Sequence, residues 1–98
     1  MAAYVVVQVD VKDPVRYEDY RKMVPASLEK YGGRFLVRGG RVEPKEGALE
    51  RDRVIVLEFP SMDQARAFYD SDAYQAIVPI RRDHADSLLF LVEGADEE

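Results

Sequence analysis

Arg34 and Arg38 stand four residues apart in the segment RFLVR, and a strand alternates its side chains, so both share one face with Leu36, opposite Phe35 and Val37. Guanidinium is planar, always charged and matched to a carboxylate through two parallel N–H bonds, so the pair reads as an anion site. Glu58 shares the corresponding face of a later strand with Val54 and Val56. It supplies the competing reading, an Arg–Glu pair that satisfies itself at the sheet edge or a dimer interface. The expectation is that Arg38 pairs with Glu58 and that a ligand binds beside them.

His84 is the one histidine, and only its side chain has an ordinary pKa suited to neutral proton transfer. Asp83 and Asp86 could orient it as a base; alternatively, it is an exposed residue of the polar turn RRDHADS. Arg81 and Arg82 form the doubled arginine, either a carboxylate clamp or a solvated helix end complementing the helix dipole. Among six tyrosines, Tyr17, Tyr20 and Tyr31 sit at core spacing and read as packing, whereas Tyr4 and Tyr74 are the cavity candidates. The glycine pairs 32–33 and 39–40 bracket a strand, which is turn chemistry and not a phosphate cradle.

The elements that must position these residues follow from periodicity. Residues 3–11, AYVVVQVDV, alternate as a strand buried on its valine face. Asp13-Pro14 opens a helix whose Tyr17, Tyr20, Val24, Leu28 and Tyr31 recur at three- and four-residue spacing. Pro25 predicts a kink or break near Arg21 to Val24, and Gly32 a left-handed cap. Strands over 34–38 and 53–59 follow, joined by a polar connection. Ser61-x-x-Gln64 caps a second helix, which steps at Ser71-Asp72 and runs until Pro79 disrupts it. SLLFLVE, 87–93, is the last strand, and the acidic tail from Ala95 is expected to fray. The order β-α-β-β-α-β is the ferredoxin-like α+β arrangement, a four-stranded antiparallel sheet with its helices on one face. The bare face carries Tyr4, Val6, Val54 and Val56, an apolar surface that a second copy would cover, enclosing a cavity between two sheets.

Ninety-eight residues make one domain, 1–98, at 47% hydrophobic and 34% charged. No apolar run is long enough for a membrane span, and the start has no basic leader, which together predict a cytoplasmic protein. The absence of cysteine fits that compartment and excludes disulfides and thiolate chemistry. A net charge of −5 speaks against a nucleic-acid partner. One histidine without cysteine partners speaks against a zinc or haem site, so no cofactor is expected.

The set YGGRFLVRGG, LEFPS, SDAYQ and a closing VEG resembles the family called domain of unknown function 1330, over roughly Tyr4 to Gly94. The resemblance implies the dimeric α+β barrel superfamily, whose relatives include small monooxygenases, muconolactone-isomerase-like enzymes, haem-active proteins and ligand-sensing domains. It implies no catalytic set. Two functions stay open: a homodimer that binds a small carboxylate or aromatic between its sheets, and a cofactor-free enzyme that oxidises, isomerises or cleaves such a molecule there. Arg34, Arg38, Glu58, Tyr4, Tyr74, Arg81 and His84 are the candidate ligand contacts.

Overall fold

The computed structural model describes residues 1–95; the rest of the acidic tail lies outside the described residues. Strand β1 (Ala3–Val11) leads to helix α1 (Pro14–Glu29), then β2 (Arg34–Arg38) and β3 (Arg53–Phe59). Helices α2 (Met62–Asp70) and α3 (Asp72–His84) precede β4 (Ala85–Glu93). The strands form one antiparallel sheet in the order β2-β3-β1-β4. This is the expected ferredoxin-like arrangement, with the second helical layer divided in two.

The helix ends follow from short polar side chains. Asp13 Oδ1 accepts the Arg16 amide at 3.2 Å and Ser61 Oγ the Gln64 amide at 3.2 Å. Ser71 Oγ accepts the Tyr74 amide and donates to the Phe68 carbonyl, so one hydroxyl closes α2 and opens α3. Gly32 takes φ +72° after α1, a conformation a β-carbon would strain.

Neither interior proline ends its helix: α1 runs through Pro25 without a break, and α3 passes Pro79, where the sequence predicts disruption, to His84. An interior proline costs about 3 kcal/mol. The buried Val24 and Leu28 flank Pro25, and the buried Ile77 and Val78 precede Pro79. Burying each large apolar side chain contributes about 1.5–3 kcal/mol, enough to hold the helices continuous. The segment RRDH likewise belongs to α3 and not to a turn, and the chain passes directly into β4. The His84 carbonyl at this helix end accepts the amides of Lys12 and Asp13 at 2.9 and 3.1 Å, so the junction is satisfied by the β1–α1 connection.

The sheet sorts residues into rows. Towards the helices, Phe35, Leu57, Val5 and Leu91 align across the four strands, followed by Arg38, Ile55, Val7 and Leu89. Val5, Val7, Val9, Leu57 and Phe59 are buried there against Tyr20, Val24, Phe68, Tyr74 and Val78. On the outer face the rows are Arg34, Glu58, Tyr4 and Val92, then Val37, Val56, Val6 and Phe90. That face leaves Leu88, Phe90 and Val92 on the edge strand β4 exposed by 45, 41 and 43%, and Leu36 and Val37 are exposed on β2 at the opposite edge.

A bulge in β2 overturns the expected shared face. Phe35 pairs with Leu57, but Val37 pairs with Val56, so Leu36 is the extra residue. Beyond it each side chain changes side. Arg34 stays on the outer face, and Arg38 turns to the helix side.

Candidate functional site

The bulge places Arg38 at the mouth of a cavity between α1 and the sheet. Strands β1, β2 and β3 give it the wall Val5, Val7, Phe35, Ile55 and Leu57, and Val24 closes it from α1. Tyr17 and Tyr20 from α1 and Tyr74 from α3 supply phenols, and Arg21, Arg38 and Arg53 supply guanidiniums. The enclosed volume is about 40 Å³. This exceeds what a single water needs. A ligand of several heavy atoms enters only as the rim moves, and among the described lining residues Arg38 alone is exposed.

The inner end is a phenol network. Tyr74, exposed by 1%, and Tyr20 place their hydroxyl oxygens 2.7 Å apart. Tyr17 packs at 5.4 Å from the Tyr20 ring and Phe68 at 4.5 Å from Tyr74, fixing both rings. Burial pushes Tyr20 far above the ordinary phenol range, with Tyr74 adding to the shift. Tyr17 is also raised by burial, partly offset by the positive charge of Arg53. Both therefore stay protonated at neutral pH and can donate hydrogen bonds.

Arg81 stands behind this network, exposed by only 4%, its guanidinium 5.9 Å from the Tyr20 ring and bonded to Ser87 Oγ. Burial works against its charge, and the oxygens of Tyr74 and Tyr20 outweigh that effect. Among the described residues no carboxylate lies within 4.0 Å of it. Arg82 is the exposed member of the doublet, 3.4 Å from the Tyr69 hydroxyl.

The outer rim is cationic. The Arg38 guanidinium lies 4.2 Å from the Phe35 ring centre, a cation–π contact. Arg53 lies against the backbone of Gly39, where an added β-carbon would fall 2.6 Å from the guanidinium carbon. Gly39 also has φ +74° and donates its amide to the Val54 carbonyl. The glycine is thus needed twice, for the turn and for the seat of Arg53.

The expected candidates divide between two sides of the sheet. Arg38 and Tyr74 meet in the cavity. Glu58 pairs with Arg34 and not with Arg38: Arg34 Nη2 stands 2.6 Å and Nε 2.7 Å from Glu58 Oε1. Tyr4 donates to Glu58 Oε2 at 3.4 Å, so these three residues form a cluster on the outer face. His84 is half-buried at the end of α3 and does not line the cavity. Arg21, Arg53, Tyr17 and Tyr20 were missed as site residues. The tyrosines were hidden because core spacing and cavity lining give one sequence pattern, and here the same side chains do both.

A family model described as domain of unknown function (DUF1330) matches residues 2–95. The chain belongs to this family. No protein of curated function matches the chain. This DUF1330 chain resembles a protein of unknown function from Rhodopseudomonas palustris with a TM-score of 0.73 and 19% identity, over 97% of this chain and 83% of that one. It also resembles SnoaB, a cofactor-independent oxygenase from Streptomyces nogalater, at TM-score 0.68 and 16% identity, over 97% and 94% of the two chains. A dimeric ferredoxin-like protein of unknown function from Jannaschia sp. CCS1 aligns at TM-score 0.64 and 14% identity, over 96% and 100%. These likenesses are of fold. Among the described residues no helix is long and apolar enough to cross a membrane, and no three His, Asp or Glu side chains cluster as metal ligands.

Proposed function

We propose that this chain is a homodimeric, cytoplasmic binding protein for a small organic molecule, held in the cavity between α1 and the sheet. One observation carries the reading: an aromatic and aliphatic pocket presents polar groups at both ends, the Tyr20–Tyr74 pair inside and arginines at the mouth. An apolar body with a few convergent polar groups is the general form of a small-molecule site. This reading puts the ligand on the helix side and not at the expected location between the sheets of two copies. The outer face then serves association, and the apolar row of Leu88, Phe90 and Val92 supports that role.

A second reading, cofactor-free catalysis on a small acid or aromatic, draws support from the fold shared with SnoaB. The lining itself favours binding. Among the described residues it contains no carboxylate or imidazole to take a proton, and burial holds Tyr17 and Tyr20 as phenols.

Half of the six tyrosines line the cavity and the chain has no tryptophan, so tyrosine fluorescence reports its occupancy directly. Titration with a panel of single-ring aromatics should give saturable quenching, abolished in Val24→Phe, which fills the pocket, while circular dichroism stays native. Linear quenching by every compound, or equal binding by Val24→Phe, would refute the site.

A further inference from the structure

We infer that the ligand is an aromatic carboxylate, its ring against Phe35 and Ile55 and its anionic group on the guanidiniums of Arg38 and Arg53. The inference rests on the binding reading above and specifies its chemistry. Three arginines line one small cavity, and among the described residues no acidic side chain lines it. Only Arg21 has a carboxylate partner, Glu18 at 3.1 Å; among the described residues neither Arg38 nor Arg53 has one within 4.0 Å. The Nε groups of Arg21 and Arg53 are buried and unpartnered.

Such a concentration of unpaired cations is not a reflection of overall charge, because the chain carries 19 acids against 14 bases. Buried N–H donors are nearly always satisfied, and the Arg53 Nε is such a donor, while the exposed Arg38 stands beside it as a second cation. A ligand carboxylate would serve both, since its two oxygens take guanidinium donors in pairs. The remaining wall decides the rest of the molecule. Phe35 already carries one planar cation on its face, and Val5, Val7, Val24, Ile55 and Leu57 offer no polar group to an aliphatic polyol or sugar. A flat apolar body suits this wall once the rim has moved to enlarge the cavity beyond its about 40 Å³. Its far edge faces the Tyr20–Tyr74 pair, where a ring hydroxyl would find a donor and an acceptor.

Isothermal titration calorimetry of the full chain with benzoate and with its neutral isostere benzamide separates the claims. At about 0.15 M salt, benzoate should bind saturably and roughly tenfold more tightly than benzamide, because rim charges at this depth are only partly screened. Arg38→Lys and Arg53→Lys should each weaken benzoate by about fivefold while leaving benzamide within about twofold, since lysine keeps the charge and loses the fork. Arg38 is exposed, so its variant keeps the test intact even if Arg53→Lys impairs folding. Equal affinity for the two compounds, or unchanged benzoate affinity in Arg38→Lys, would overturn the anion assignment and leave the cavity as a binding site. Saturable binding of neither compound would overturn the binding site itself.

Discussion

Arg34 and Arg38 occupy opposite faces of the sheet although they are four residues apart on one strand: Arg34 holds Glu58 on the outer face, and Arg38 covers Phe35 on the helix face. The β2 bulge separates them into an ion-paired and a cavity-lining arginine.

A double-mutant cycle tests this division. Arg34→Ala and Glu58→Ala should couple by less than about 1 kcal/mol, because the Arg34 side chain is 70% exposed and solvent screens the pair. Arg38→Ala and Glu58→Ala should be additive within about 0.5 kcal/mol, as expected for groups with no shared partner. Urea denaturation of the single and double variants gives both values, and coupling of Arg38 to Glu58 above that of Arg34 would contradict the register.

The outer face carries a prediction about assembly. Phe90 ends the row of Val37, Val56 and Val6 on the edge strand β4, between the exposed Leu88 and Val92. Light scattering at micromolar concentration should report a dimer. Phe90→Asp should dissociate it, since an unpaired charge in a buried seam costs several kcal/mol. A wild-type monomer at that concentration would show that the face is left uncovered by self-association.

Alkaline stability follows from the phenols. Tyr17 and Tyr20 have folded-state pKa values raised above 10.0 by burial, so the unfolded chain ionises first. Their protonated forms stabilise the fold fully below about pH 10, and that contribution is lost as pH rises from there towards the folded-state pKa. Urea midpoints should be flat up to about pH 9 and fall beyond about pH 10. Tyr20→Phe, which cannot ionise, should flatten part of the fall. An undiminished slope in that variant would assign the alkaline loss to other groups.

The fold was legible in the sequence because its signals are local. Alternation of Val5, Val7 and Val9 fixes the buried face of β1, and Asp13, Ser61 and Ser71 mark helix starts where amides need an acceptor. Gly32 marks the end of α1 through a backbone angle other residues avoid. The family likewise showed in the run YGGRFLVRGG.

The site was not legible, because each of its parts depends on pairing or convergence. Nothing in RFLVR announces that Leu36 will be skipped, since a bulge is a property of two strands together; it moved Arg38 from the outer face to the cavity. Tyr20 and Tyr74 are 54 residues apart, and only the packing of α1 against α3 brings their hydroxyls within 2.7 Å. Arg81 reads as a solvated helix end until β4 returns to cover it with Ser87. Sequence periodicity determined which residues lie inside each element, while tertiary packing decided which inside residues border open space, because alternation and helical spacing specify a direction and not the distance to what lies opposite.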